Sequence, residues 1–122
     1  MERAHERAQF DTGKTAIDLD GLHNQDQISV QTASSRYQFS VEDPSTRKGT
    51  LSGGRIGEHG VEAVFTGSVS EDKDSFDARR LRTGSRAVFF VIESTNKVRR
   101  VITSVITDIA IVNGSLGGRY AA

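Results

Sequence analysis

The chain has 122 residues, with 16 lysines and arginines balanced by 16 aspartates and glutamates, so its formal net charge is zero and bulk electrostatics points to no partner. It contains no cysteine, which excludes thiol chemistry, a disulfide scaffold and any thiolate zinc site. This length suits one domain with a core of its own, and no stretch approaches the roughly 18 apolar residues that a membrane-spanning helix needs.

Residues 1–9 read as a short helical arm, because Glu2, Arg3, Ala4, Glu6, Arg7 and Ala8 are good helix formers. The same segment is charged and has no apolar run, so no signal peptide is expected and the location implied is cytoplasmic. Nine residues do not hold a helix alone in water, so the arm needs something to dock on, with Phe10 as the docking residue.

The next six residues, FDTGKT (10–15), contain two catalytic fragments. Asp11-Thr12-Gly13 has the triplet of an aspartic protease, but such a site needs two carboxylates sharing a proton at about 3 Å, and Lys14 would put a cation beside them. Gly13-Lys14-Thr15 ends like a P-loop, yet Ala8 stands where the first glycine belongs and no helix follows. The reading kept for 10–15 is a turn that joins the arm to a β-domain. Asp18-Leu19-Asp20-Gly21 starts like a calcium loop and then fails its register at Leu22, His23 and Ser29.

From residue 28 the apolar period becomes two. ISVQT (28–32) and YQFSV (37–41) alternate as strands, joined by a hairpin connection, and Asp43-Pro44-Ser45 marks the next turn. Residues 44–60 hold five of the twelve glycines and read as loop with short strand pieces at Thr50-Leu51 and Ile56. Within it, SGGRIGEHG (52–60) could wrap a phosphate with backbone amides and Arg55, although no helix dipole supports it. VEAVFTGSV (61–69) is a clear strand, and SEDKDSFD (70–77) reads as an acidic loop. RAVFFVIE (86–93) and KVRRVITSVITDIAIV (97–112) are rich in residues that suit a pleated surface. Sixteen residues exceed one flat strand, so a bend is expected near Thr103-Ser104, passing the chain from one sheet edge to another.

The fold class expected is therefore all-β: a small, mainly antiparallel, partly open barrel of about five to seven strands with a short N-terminal helical arm. The organisation expected is arm and lead-in strand over 1–27, barrel over 28–112 and a Gly-rich tail over 113–122. TASSRYQF (32–39), LRTGSRAVFF (81–90) and TSVITDI (103–109), taken together, resemble small uncharacterised bacterial β-barrel proteins. The resemblance covers roughly residues 28–110 and implies a fold and no activity.

Charge distribution supplies the functional candidates. Between Phe76 and Arg100, seven cations stand against Asp77 and Glu93, an excess of five positive charges. Arg79, Arg80, Arg82, Arg86 and Arg99 form the expected interaction surface, with Arg99 and Arg100 on opposite strand faces. No catalytic, metal or cofactor constellation emerges, and a small enzyme built on Asp18, Asp20 and His23 or His59 is the least supported class. The function expected is a non-enzymatic interaction or assembly module, self-associating or bound to another protein, with no membrane partner. The alternative is a nucleic-acid-binding barrel that uses the arginines as a groove, with Tyr37, Phe89 or Phe90 as stacking platforms.

Overall fold

A computed structural model describes residues 10–112, with side chains from Thr15 onward. The chain forms β1 (Phe10–Lys14), β2 (Ala16–Asp18), β3 (Gln27–Thr32), β4 (Arg36–Asp43), β5 (Lys48–Gly53), β6 (Gly57–Val69), β7 (Phe76–Asp77), β8 (Arg80–Arg82), β9 (Arg86–Ser94), β10 (Lys97–Ile102) and β11 (Ile106–Val112). Single 3-10 turns at Leu19–Gly21 and Gly54–Ile56 complete the regular structure. The main sheet runs β1-β11-β3-β4-β5-β6-β9-β10, with β7 added to β6, while β2 and β8 form a separate ribbon. All pairings are antiparallel. Among the described residues no helix is long and apolar enough to cross a membrane.

The all-β, antiparallel expectation holds, but the sheet is not closed into a barrel. β10 pairs with β9 and β11 pairs with β3, so the link between the two halves is covalent, through 103–105, and β1 and β10 remain as edges. The expected bend lies there. Thr103 is buried; its Oγ1 accepts from the Ala87 N–H at 3.0 Å and donates to the Ser104 carbonyl at 2.8 Å. After the bend the Ile106 N–H donates to the Ser85 carbonyl at 2.8 Å, which holds the start of β11 near the start of β9.

Two further expectations change. FDTGK is strand β1 rather than a turn: Phe10 opposes Val112 and Asp11 opposes Ile111, and the register shifts before Lys14. The turn-forming Thr12-Gly13 pair is used at that irregularity, where glycine costs a strand least. Among the described residues eleven strands stand where five to seven were expected, because β2, β7 and β8 are only two or three residues long and β5 is built through glycines. The helical arm expected over 1–9 and the tail over 113–122 lie outside the described residues, as does the Phe10 side chain.

Period-two burial builds the core. Ile28 and Val30, then Tyr37, Phe39 and Val41, then Ala63 and Phe65, then Ala87, Phe89 and Val91 all point inward. Phe39, Phe65 and Phe89 meet at the centre with ring centroids 4.4–5.7 Å apart. Burial of each ring contributes about 1.5–3 kcal/mol, more than the roughly 0.5–1.5 kcal/mol of a ring pair. The ribbon adds Ile17 and Leu81 to the core, and the 3-10 turn that follows β2 adds Leu19.

Candidate functional site

The arginines divide into three groups. Arg79, Arg80 and Arg82 lie on or beside β8, next to carboxylates. Arg79 Nε is 3.7 Å from Asp20 Oδ2, and Arg82 Nη2 is 3.5 Å from Asp77 Oδ2. The Asp77 carboxyl is lowered from its ordinary value, first by the Arg79 backbone N–H it accepts and further by the Arg80 N–H and the Arg82 and Arg80 charges. Arg47 joins this group with Nη2 2.6 Å from Asp20 Oδ1 and Nη1 donating to the Ala78 carbonyl. Arg99 stands apart on β10, donating to Glu93 Oε2 at 2.7 Å and, with Lys97, holding Glu93 below its ordinary value. Among the described residues Arg86 makes no carboxylate ion pair. Its Nε donates to the Glu71 carbonyl at 2.9 Å and its Nη1 to the Thr103 carbonyl at 3.3 Å. The five residues thus differ in what holds them, with Arg79, Arg82 and Arg99 against carboxylates and Arg86 on main-chain carbonyls.

Of the three candidate stacking platforms, Tyr37 and Phe89 are core residues and Phe90 is 39% exposed. Phe90 belongs to a different feature. On the outer face of β6, β9 and β10, Val64, Phe90 and Arg100 stand opposite one another in one row, and Ile92 stands opposite Val98 in the next. Cross-strand partners project to the same face, so these side chains form one patch. Three large apolar side chains are exposed among the described residues, and two of them, Phe90 and Val98, lie in it. Lys48 and Glu62, paired at 2.5 Å, flank it on β5 and β6, and the Glu62 hydrogen bond raises the Lys48 ammonium above its ordinary value. Among the described residues nothing covers Phe90 and Val98, which remain exposed.

Besides a shallow one where Arg86 meets Ser70, Glu71 and Asp72, two clefts lie near the start of β9. One of about 490 Å³ between β7 and the 82–85 turn mixes Phe76, Glu71, Asp77 and Arg82. The other, of about 330 Å³ at the 103–104 bend, is lined by Arg55, Lys73 and Arg86 together with hydroxyl side chains. Arg55 was visible in the sequence as part of a Gly loop. Lys73 was hidden in an acidic run, and Arg47 in a turn, since nothing local marks which long side chain will cross the fold.

The Asp/His candidates do not assemble. Asp18 caps the Leu19–Gly21 turn by accepting the Asp20 N–H, and Asp20 is held by Arg47 and Arg79. His23 is exposed beside buried Asp26, which accepts the His23 N–H at 2.8 Å, while His59 is exposed on β6. Among the described residues no group of three His, Asp or Glu side chains could hold a metal ion. No protein-family model matches the chain, and no curated protein and no solved structure shows significant similarity to it.

Proposed function

We propose that the protein is a non-enzymatic assembly module that associates with its own copies through the outer face of β9 and β10. The observation that carries this reading is the exposure of Phe90 (39%) and Val98 (58%) on that face, beside half-buried Val64 and Ile92. The β10 edge is a poorer surface for self-association. Antiparallel pairing of β10 with itself crowds Lys97, Arg99 and Arg100 of both copies along one seam, which like-charge repulsion disfavours. Packing face to face about a two-fold axis buries the apolar rows instead.

The nucleic-acid reading has less support, since Arg79, Arg82 and Arg99 already face carboxylates and Phe90 is the exposed ring of the three proposed. The test is the native mass by sedimentation equilibrium. The wild-type chain is expected to run as an oligomer that tolerates moderate salt, and Phe90→Glu with Val98→Glu is expected to give a folded monomer. A wild-type monomer at high concentration, or an oligomer untouched by both substitutions, overturns the reading.

A further inference from the structure

We propose that the cleft at the Thr103–Ser104 bend is an oxyanion site that takes the phosphate group of a small molecule. This inference is independent of self-association. Three segments far apart in the chain bring a cation each to one cleft of about 330 Å³: Arg55 from the second 3-10 turn, Lys73 from the 70–75 loop and Arg86 from the start of β9. Ser34, Ser35 and Ser104 supply hydroxyls to the same wall, and no carboxylate side chain lines it. Elsewhere on this fold, Arg47, Arg79, Arg82 and Arg99 each lie against an acid.

The way the two arginines are held strengthens the point. Arg55 Nη2 donates to the Ile102 carbonyl at 2.9 Å, and Arg86 donates to the Glu71 and Thr103 carbonyls. Neutral carbonyls fix a guanidinium in place without cancelling its charge. Both forks therefore keep N–H groups to spare, pre-oriented for a planar, two-pronged grip on an oxyanion.

Lys73 is presented by a loop built to turn its acid away. Asp72 Oδ1 accepts from the Ser70 hydroxyl at 2.6 Å and from the Asp74 N–H at 3.0 Å, which also lowers its carboxyl from the ordinary value, the Ser70 bond first. Lys73 itself adopts a left-handed backbone conformation, with φ of 65°. Its ammonium has no acidic or hydrogen-bonding partner among the described residues. Arg86 ties the loop to β9 through the Glu71 carbonyl, so Lys73 and Arg86 are held relative to one another.

Three cations in one cleft whose lining holds no carboxylate repel each other and concentrate positive potential there, with Glu71 and Asp72 on the far side of Arg86. A phosphate dianion removes that repulsion and satisfies the spare donors. The cleft volume lies at the lower end of the roughly 300–1,000 Å³ typical of ligand pockets, which suits a phosphate bearing a small substituent and not a polymer.

The experiment titrates the full chain with inorganic phosphate, followed by backbone amide NMR, with chloride at matched ionic strength as control. Saturable shifts are expected at Ser35, Arg86 and Ser104. Lys73→Ala and Arg55→Gln are each expected to weaken binding about tenfold, the loss expected of one charge-assisted contact. Lys73 is exposed, so its variant keeps the fold, and Arg79→Ala is expected to bind as wild type. Glycerol 3-phosphate binding more tightly than phosphate identifies an organic ester as the ligand, and equal affinity identifies free phosphate; either supports the site. Absence of saturation, equal shifts with chloride, wild-type affinity in both cleft variants, or a preference for a single-stranded oligonucleotide lost in Arg79→Ala each overturns it.

Discussion

The Thr103 side chain lies between two main-chain groups that the bend would otherwise leave unpaired. Its hydroxyl takes the Ala87 N–H and gives to the Ser104 carbonyl, in a position that is 1% exposed. Thr103→Val keeps the shape and removes both bonds, stranding a buried donor. A loss of about 1–3 kcal/mol is expected from denaturant unfolding, with most of it recovered in Thr103→Ser. The bend was legible because sixteen β-prone residues exceed one strand. The hydroxyl's role was not, since a threonine in a β-rich run reads as a strand former. Arg99 and Arg100 were legible as opposite-facing, and their register partners Val91 and Phe90 agree. The partners of Arg86 were not legible, because backbone carbonyls leave no mark in a sequence.

Strand β5 shows why a glycine-rich segment can hide an element. KGTLSG reads as loop around a short strand piece at Thr50-Leu51, since glycine loses more freedom in a strand than any other residue, and the strand runs over the whole of Lys48–Gly53. Yet Gly49 pairs with Val41, and a Cβ there would lie 2.0 Å from the Ser40 carbonyl oxygen and 2.9 Å from the Phe39 ring. The glycine is what lets β4 and β5 approach over the core aromatic. Gly49→Ala is expected to cost about 3 kcal/mol, the upper end for overpacking, seen as a lower denaturation midpoint and a perturbed Phe39 environment. Unchanged stability would mean that the two strands are not so closely apposed. The lead-in strand expected within 1–27 corresponds to β2, whereas β1 reads as a turn because its partner, β11, lies more than sixty residues away and no local pattern announces the pairing. By contrast β3, β4, β6 and β9 carry their alternation on their own residues.

At the scale of the molecule, charge balance governs the response to pH. Asp43, Asp72, Asp77 and Glu93 all sit below their ordinary values, each through hydrogen bonds made in the fold, to Ser45, Ser70, the Arg79 N–H and Arg99 respectively. Carboxylates lowered in the folded state contribute stability that is complete above their unfolded values, about 3.9 for Asp and 4.3 for Glu, and lost as the pH falls through the folded ones. Lys48, raised by Glu62, contributes below the ordinary lysine value of about 10.4 and loses that contribution as the pH climbs past its folded value. The melting temperature is thus expected to hold near neutrality and to fall below about pH 4. These groups are exposed, so salt should flatten the profile. A melting temperature unchanged down to about pH 3 would contradict it. The pairing of Phe10 with Val112 reaches further than the sheet it completes. Opposed residues on antiparallel strands lie roughly 5 Å apart, so whatever is attached before residue 10 and after residue 112 leaves from one corner. A short Gly-Ser bridge between those two positions, with the chain reopened at Thr95-Asn96, gives a circular permutant with the same strand order. By the same geometry, the whole sheet can be spliced into a host protein's loop through a gap only one strand spacing wide.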